Sequence, residues 1–313
     1  TRPVITLIGS DAMTVPLGSD FTDPGASAVD TVDGDLTSSM VVTGLVDTSI
    51  TGTYTIIYSV TDSSGNESIP VTRSVTVVDL TRPSITLLGD TVVTAEVGST
   101  YIDAGATAND NYDGDITSNV VASGWVNAAL LGTYTITYSV SDAAGNDAMP
   151  VERTVNVVDT TSPTITLIGD DVVTLEVGTS HIDPGATATD NYDFDLTPNI
   201  ITSGIVHTAV LGTYTIAYVV TDSSGNTSDP VMRTVHVVDT IAPTIALLGD
   251  PLVTIEVGTA YTDAGATALD NYDRILTSSI VKTGSVNISL PGTYMLTYTV
   301  VDSSGNTAIP QTR

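Results

Sequence analysis

The chain has 313 residues, of which 41% are hydrophobic, and it has no cysteine, so it can form hydrophobic cores but no disulfide bonds or cysteine-bound zinc sites. Its 36 acidic and 8 basic side chains give a net charge of −28, which argues against binding to nucleic-acid phosphates or anionic lipid surfaces. No apolar run approaches the roughly 20 residues of a membrane-spanning helix.

The sequence repeats with a period of 80 residues, without insertions or deletions. The clearest markers are Pro3, Pro83, Pro163 and Pro243; Gly65, Gly145, Gly225 and Gly305; and Arg73, Arg153, Arg233 and Arg313. Such a period predicts tandem domains, at residues 1–80, 81–160, 161–240 and 241–313, with the last strand missing from the fourth. Because Thr1 is not an initiator residue and no signal peptide is recognisable, we expect the chain to be part of a longer polypeptide.

Within each repeat the pattern predicts short β-strands. An alternating segment such as residues 165–168 opens each repeat. Residues 133–140 place Tyr, Ile, Tyr and Val on one face and Thr, Thr, Thr and Ser on the other, which is typical of a half-buried antiparallel strand. Residues 155–158 close the second repeat. About seven such strands per repeat, separated by glycine-containing turns, predict an all-β fold of four tandem immunoglobulin-like β-sandwiches.

The linkers between repeats are short. Residues 158–163 lead from one closing strand to the next opening strand, and they end at Pro163. Proline fixes its own φ angle and restricts Ser162 to extended geometry, so this linker differs from a flexible Gly/Ser tether. We therefore expect the four sandwiches to stand end to end as an extended rod.

Recurrent motifs accompany the predicted strands. They are Pro-x-Ile at the start of a repeat, Asp-Pro/Ala-Gly-Ala as at residues 183–186, Ala-x-Asp-x-x-Asp, Gly-Thr-Tyr-x-x-x-Tyr, Asp-x-x-Gly-Asn and a closing Val-Val-Asp. Across all four repeats the chain resembles the bacterial immunoglobulin-like domains of large surface proteins and some pesticidal crystal toxins, which are similar to hyalin repeats. The resemblance implies an extracellular spacer or adhesion module without enzymatic activity.

The most informative group of polar residues is the acidic segment 110–115, which contains Asp110, Asp113 and Asp115. Carboxylates at about 4–6 Å repel one another at a cost on the order of 1–4 kcal/mol per pair, and a bound Ca²⁺ ion relieves that repulsion. The alternative is a polar turn that binds nothing, because Asp and Gly also satisfy turn geometry.

Immunoglobulin topology would bring this segment to a junction between repeats. We interpret it as the B–C loop and residues 142–146 as the F–G loop, both facing the linker that carries Asp79, while Asn146 shapes its own turn. The sequence therefore predicts a Ca²⁺ site at each junction, completed by backbone carbonyls and water. The predicted ligands are Asp30, Asp33, Asp35, Asp62, Asp79, Asp110, Asp113, Asp115, Asp142, Asp159, Asp190, Asp193, Asp195 and Asp222.

The junction between the third and fourth repeats departs from this pattern, since Arg274 replaces the glycine and Ile275 replaces the third carboxylate. We predict that this junction is free of metal or only partly occupied, with the guanidinium of Arg274 standing in for the ion. The carboxylates it would pair with are Asp239, Asp270, Asp273 and Asp302.

An enzyme is not expected. The acidic residues recur at every junction rather than forming one site, and there is no phosphate-binding glycine loop or Ser-His pair. The histidines, His181, His207 and His236, occupy three different positions of the repeat and do not cluster in sequence. They are expected to be surface residues on strands.

The sequence favours a non-catalytic, extracellular spacer of a bacterial surface or adhesin-type protein, stiffened by Ca²⁺ and joined to flanking repeats of the same polypeptide. Two alternatives stay open: a module that binds a carbohydrate or receptor, and a filament subunit whose fourth repeat is completed by a neighbour's strand. The only tryptophan, Trp125, corresponds to Leu45, Ile205 and Ser285 in the other repeats. That series predicts a core or edge apolar position rather than a sugar-binding platform.

Overall fold

The protein is described by a computed structural model that covers residues Thr1–Arg313. It divides into two compact units, Thr1–Asp159 and Thr160–Arg313, and each unit contains two of the sequence repeats. The regular elements are β-strands and one short 3₁₀ turn per repeat, which confirms the all-β class. None of the helical turns has the length and apolar character needed to span a bilayer.

The first repeat is a sandwich of two sheets. Its strands are β1 Val4–Leu7, β2 Ala12–Pro16, β3 Ala26–Asp30, β4 Gly34–Asp35, β5 Val41–Thr43, β6 Gly52–Ser59 and β7 Val71–Val78. One sheet has the order β1-β3-β4, and the other has the order β2-β7-β6-β5. Strand β2 runs parallel to β7, whereas the other neighbours are antiparallel. The 3₁₀ turn Thr37–Ser39 connects the two sheets ahead of β5.

The second and third repeats have the same two sheets and the same strand order. The strands of the second repeat are β8 Ser84–Leu87, β9 Val92–Glu96, β10 Ala106–Asp110, β11 Gly114–Asp115, β12 Val121–Ser123, β13 Gly132–Ser139 and β14 Val151–Val158, with a 3₁₀ turn at Thr117–Asn119. Those of the third are β15 Thr164–Leu167, β16 Val172–Glu176, β17 Ala186–Asp190, β18 Phe194–Asp195, β19 Ile201–Ser203, β20 Gly212–Val219 and β21 Val231–Val238, with a 3₁₀ turn at Thr197–Asn199.

The core of each sandwich follows from the alternation of its strands. In β13 the side chains of Ile136 and Tyr138 are buried and that of Thr135 is exposed, as the two-residue period predicts. The buried pair contacts Ala106 of the opposite sheet. Burial of such side chains between two sheets stabilises each by roughly 1.5–3 kcal/mol.

The acidic segment lies between the two sheets along the chain. The opening strand of each repeat is divided between the sheets, so β10 is the third strand in chain order but the second in immunoglobulin terms. The segment leads from β10 in one sheet towards β12 in the other, in agreement with the B–C interpretation. It begins as a tight hairpin, in which Asp110 pairs with Gly114. Residues 142–146 do join β13 and β14, which are neighbours in one sheet, so the F–G interpretation holds.

The fourth repeat has shorter sheets. Its strands are β22 Thr244–Leu247, β23 Ala266–Leu269, β24 Val281–Thr283, β25 Thr297–Thr299 and β26 Gln311–Thr312, with a 3₁₀ turn at Thr277–Ser279. Residues 252–256, which correspond to β16, form no strand, because their parallel partner has no counterpart among the 313 residues. A cavity of about 300 Å³ lies between residues 251–257 and 290–296.

A buried arginine joins the two sheets of each complete repeat. Arg153 on β14 is 1% exposed. Its Nε donates to the carbonyl oxygen of Asp90 (3.1 Å), its Nη2 donates to that of Gly105 (3.2 Å), and Nη1 contacts Asp103. In the sequence this arginine stands out as a marker of the repeat, and its structural role was not predicted. Its recurrence among only eight basic residues was a signal of this role.

Candidate metal centre at the repeat junctions

The acidic hairpin holds Asp110 in a fixed orientation. Asp110 is the last residue of β10, and its Oδ1 accepts hydrogen bonds from the backbone nitrogens of Tyr112 (2.8 Å) and Asp113 (3.1 Å). An aspartate that caps its own turn in this way uses one oxygen and leaves the other available. The free oxygen, Oδ2, is buried and receives no hydrogen bond.

The turn between β13 and β14 orients a second carboxylate. Oδ1 of Asp142 accepts a hydrogen bond from the backbone nitrogen of Asn146 (2.7 Å), and Oδ2 accepts one from the Asn146 side chain (2.7 Å). Asn146 therefore shapes the turn, as expected. Its Nδ2 also donates to the carbonyl oxygen of Asp79 (3.2 Å), a contact with the preceding repeat that the sequence analysis did not anticipate.

Three separate segments converge at the junction of the first two repeats. One carboxylate oxygen each from Asp79, Asp110 and Asp142 lies within 4.8 Å of the other two. All three residues are buried, with exposed fractions of 4%, 4% and 7%. Oδ2 of Asp79, like Oδ2 of Asp110, receives no hydrogen bond. The structure thus brings together the three segments that the sequence analysis placed at this junction.

Equivalent aspartates converge elsewhere in each unit. In the first repeat they are Asp30, Asp33 and Asp62, and Thr1 Oγ1 donates to Asp30 Oδ2 (2.9 Å). In the second unit one group consists of Asp190, Asp193 and Asp222, and another consists of Asp239, Asp273 and Asp302. Asp159 is the last residue of the first unit, and its role as a ligand stays a prediction.

Asp113 connects the hairpin to the neighbouring turn. Its Oδ2 accepts a hydrogen bond from the backbone nitrogen of Ala143 (2.7 Å). The equivalent residues Asp33, Asp193 and Asp273 accept hydrogen bonds from Ser63, Ser223 and Ser303 in the same way. Those three belong to the carboxylate groups of their repeats, whereas Asp113 lies outside the group formed by Asp79, Asp110 and Asp142.

The third carboxylate of the acidic motif has another role. Asp115 Oδ1 accepts a hydrogen bond from the backbone nitrogen of Thr117 (3.0 Å), at the start of the 3₁₀ turn, and the residue is exposed. Asp35, Asp115 and Asp195 lie in none of the carboxylate groups, so their role as ligands stays a prediction without support from this geometry. The hairpin turns the chain between Asp113 and Asp115, so closeness in sequence does not become closeness in space.

The turn-capping role of Asp115 also bears on the junction between the third and fourth repeats. Ile275 occupies the position of Asp115, so it replaces a residue that caps a turn in the second repeat. Burial raises the pKa of Asp239, and the nearby carboxylates of Asp270 and Asp302 raise it further. Oδ1 of Asp270 is buried without a hydrogen bond. This junction therefore keeps an unneutralised group of carboxylates.

Arg274 does not neutralise that group. Its side chain is exposed and forms no ion pair, so the prediction that it stands in for an ion is wrong. Arg274 has a left-handed φ of 64°, at the position where Gly114 has a φ of 70°. Its backbone oxygen accepts a hydrogen bond from the Asp270 nitrogen (2.8 Å), which fixes the hairpin turn while the side chain points to solvent.

The chemistry of these groups suits a hard divalent cation. Three buried carboxylates within 4.8 Å repel one another by about 3 kcal/mol per pair at an effective dielectric constant of about 20. A buried oxygen without a hydrogen bond adds a desolvation cost. Ca²⁺ binds six to eight oxygen ligands from carboxylates, carbonyls and water, so it fits Asp79, Asp110 and Asp142 better than the softer metals that prefer sulfur or imidazole.

The histidines do not form a site. His207 packs edge-on against Tyr214 with ring centroids 5.9 Å apart, and His236 on β21 lies with Nδ1 3.0 Å from Thr213 Oγ1. His181 lies in a loop with its Nε2 buried. The prediction of surface strand residues is right for His236 and wrong for the other two, which lie outside strands.

Trp125 is not in the core. It follows the edge strand β12, and 72% of its side chain is exposed. The preceding Gly124 lies against the neighbouring strand, since a Cβ there would be 2.3 Å from the carbonyl oxygen of Thr135. The equivalent Leu45 and Ile205 are 86% and 73% exposed, so the core part of the prediction is wrong.

The sequence comparisons agree with this architecture. The family model described as "Bacterial surface protein, Ig-like domain" matches residues 5–77, 85–157, 165–237 and 245–313. Hyalin from Strongylocentrotus purpuratus is 29% identical over 99% of the chain and 27% of hyalin. Pesticidal crystal protein Cry22Aa from Bacillus thuringiensis is 31% identical over 97% of the chain and 43% of that protein.

A serine-rich adhesin for platelets from Staphylococcus aureus is 32% identical over 60% of the chain and 9% of the adhesin. The chain thus spans less than half the length of each of these relatives. The family match covers the four segments that the 80-residue period predicts. Together with the sandwich topology, it places this chain in the family of immunoglobulin-like domains of bacterial surface proteins.

Proposed function

We propose that the chain is a non-catalytic spacer in a bacterial surface or adhesin-type protein and that Ca²⁺ at the repeat junctions stiffens it. The observation that carries the proposal is the position of Asp79. This residue follows the last strand of the first repeat, yet its carboxylate lies with those of Asp110 and Asp142 from the second. A cation held by all three therefore binds only when the two repeats keep their relative orientation.

The free energy by which calcium would stabilise the junction can be calculated from typical affinities. Extracellular calcium modules have dissociation constants of about 10⁻⁴–10⁻³ M. An ion at a hundred times its dissociation constant stabilises the bound arrangement by about 2.7 kcal/mol. The same linkage opposes bending at the junction, because bending separates Asp79 from Asp110 and Asp142.

We propose that the sandwiches stand end to end, an arrangement that the linker sequences favour. Prolines stand at the start of each repeat, as at Pro83, Pro163 and Pro243, and restrict the residues before them to extended geometry. Strands of about eight residues at about 3.3 Å per residue, with their loops, make each sandwich roughly 35–45 Å long. Four in line would reach roughly 150 Å. Small-angle scattering of the chain in calcium checks this, and a compact particle would contradict it.

Calorimetric titration tests the calcium proposal. We expect Asp110→Asn to remove one binding event from the full chain, because Asp110 contributes a buried oxygen to the junction. Asp115→Asn is the matched control, since Asp115 lies five residues away and caps a turn. It is expected to keep the stoichiometry of the parent chain. Equal loss in both variants, or no heat of binding in the parent chain, would contradict the proposal.

A second candidate function is carbohydrate binding, which the exposure of Trp125 favours. A carbohydrate array probed with the chain and with Trp125→Ala tests this candidate. Binding of a glycan by the parent chain that is lost in Trp125→Ala would support it, and no binding by either would count against it.

A further inference from the structure

Glu176 connects three segments at the junction of the third and fourth repeats. It is the last residue of β16. Its Oε2 accepts hydrogen bonds from the backbone nitrogen (3.0 Å) and Oγ1 (2.8 Å) of Thr240 in the linker. Its Oε1 accepts one from Nδ2 of Asn271 (3.2 Å) in the acidic hairpin of the fourth repeat. One carboxylate therefore joins β16, the linker and the hairpin of the next repeat.

The junction of the first and second repeats has no such carboxylate. Pro16 occupies the position of Glu176, although Asn111 is present at the position of Asn271. The side-chain contact between these two repeats is a neutral hydrogen bond from Thr51 Oγ1 to Tyr112 Oη (3.1 Å). A hydrogen bond to a charged acceptor is about twice as strong as a neutral one. The asparagine that contacts the preceding linker is common to both junctions, as Asn146 and Asn306.

We propose that Glu176 is a metal-independent clamp between the third and fourth repeats, and that the first junction, which has Pro16 instead, depends more strongly on the cation. The two junctions of this chain then respond differently to calcium. The first bends when calcium is withdrawn, and the second keeps most of its orientation. The difference in calcium response rests on the proposed function, whereas the clamp itself requires no metal.

The absence of cysteine allows a direct test in the full chain. Cysteines at Thr43 and Ser123 place spin labels on equivalent exposed edge strands of the first and second repeats, and Ser203 and Thr283 do so for the third and fourth. Pulsed electron resonance then gives a distance distribution for each junction. In chelator the distance distribution of the 43–123 pair is expected to broaden more than that of the 203–283 pair.

Variants distinguish the effect of Glu176 on the orientation of the repeats from the effect of the ion. In chelator Glu176→Ala should broaden the 203–283 distribution, with roughly a fivefold increase in the population of detached orientations, equivalent to about 1 kcal/mol. Pro16→Glu should narrow the 43–123 distribution, because it supplies the missing carboxylate to Asn111. Glu256→Ala is the matched control, because Glu256 is the equivalent, exposed residue of the fourth repeat. It should leave both distributions unchanged.

The outcomes distinguish the two proposals. An unchanged 203–283 distribution for Glu176→Ala in chelator would overturn the clamp. If calcium leaves both distributions of the parent chain unchanged, the calcium proposal fails, but a broadening by Glu176→Ala would still support the clamp. Equal broadening by Glu256→Ala would show a nonspecific effect and would also overturn the clamp.

Discussion

Arg73 and Asp23 form an ion pair inside the first repeat, although they are 50 residues apart in the sequence. Nε of Arg73 donates to the carbonyl oxygen of Ser10 (3.0 Å), and Nη2 donates to that of Gly25 (3.1 Å). Tyr58 Oη donates to Asp23 Oδ2 (2.6 Å). Arg73 lies on the four-stranded sheet and Gly25 precedes a strand of the other sheet. The guanidinium therefore ties the two layers together in a protein that has no disulfide bond.

Replacement of Arg73 by Met is expected to destabilise the first repeat by about 3 kcal/mol. Removal of one partner of a buried ion pair costs about 3–5 kcal/mol, and the lower value applies because Asp23 is 25% exposed. Hydrogen exchange of the β6 amides measures the local free energy of unfolding. Arg82→Met, at an exposed arginine, is the control. A cost equal to that of the control would show that the pair does not stabilise the fold.

The same ion pairs predict a loss of stability in acid. Burial opposes ionisation of Asp23, but the hydrogen bond from Tyr58 and the charge of Arg73 outweigh it and lower its pKa. The pKa of Asp263 is lowered to about 2, where burial is outweighed by the hydrogen bond from Tyr298 and the charge of Lys282. An unfolded aspartate has a pKa of about 3.9, so this stability is present above about pH 4 and is lost as pH falls through the folded pKa.

Urea unfolding in chelator measures this dependence. The midpoint is expected to stay constant between about pH 7 and 5 and to fall below about pH 4. Asp23→Asn should make that fall smaller, because it removes one of the groups whose pKa is lowered on folding. A midpoint that stays constant down to pH 2 would contradict the assignment.

Two glycines with nearly equal φ angles should differ in their tolerance of alanine. Gly124 and Gly145 have φ angles of 94° and 92°, which cost an L-residue about 1–2 kcal/mol. A Cβ on Gly124 would also lie 2.3 Å from the carbonyl oxygen of Thr135, whereas one on Gly145 meets nothing within 4 Å. Gly124→Ala should therefore lower the unfolding free energy by about 1–3 kcal/mol more than Gly145→Ala. Equal costs in chemical denaturation would contradict the close approach.

The 80-residue period and the alternation of short strands were enough to predict the β-sandwich repeats. The candidate site was predictable only in part. Asp79, Asp110 and Asp142 come together as the motif spacing suggested, but Asp115 does not, because a hairpin turn separates it from Asp113. Side-chain direction in a tight turn depends on φ angles that residue types alone do not reveal, as the left-handed Arg274 illustrates.

The exposure of Trp125 was missed for a similar reason. The series of Leu, Trp, Ile and Ser at this position resembles a core position in composition, but the residue lies just beyond the end of the edge strand β12, where its side chain is exposed. We therefore expect Trp125→Ala to change the free energy of unfolding by less than about 0.5 kcal/mol. Ile136→Ala, at a buried position of the same repeat, should cost about 2–5 kcal/mol. Comparable losses in thermal unfolding would place Trp125 in the core after all.

The proposed calcium ion joins consecutive repeats through Asp79, Asp110 and Asp142. A crystal structure of the chain grown in calcium, with anomalous diffraction to identify the ion, is the most direct test. We expect an ion about 2.3–2.6 Å from an oxygen of each of the three carboxylates, and none at Asp115. A well-ordered junction in saturating calcium that holds only water between these carboxylates would contradict it.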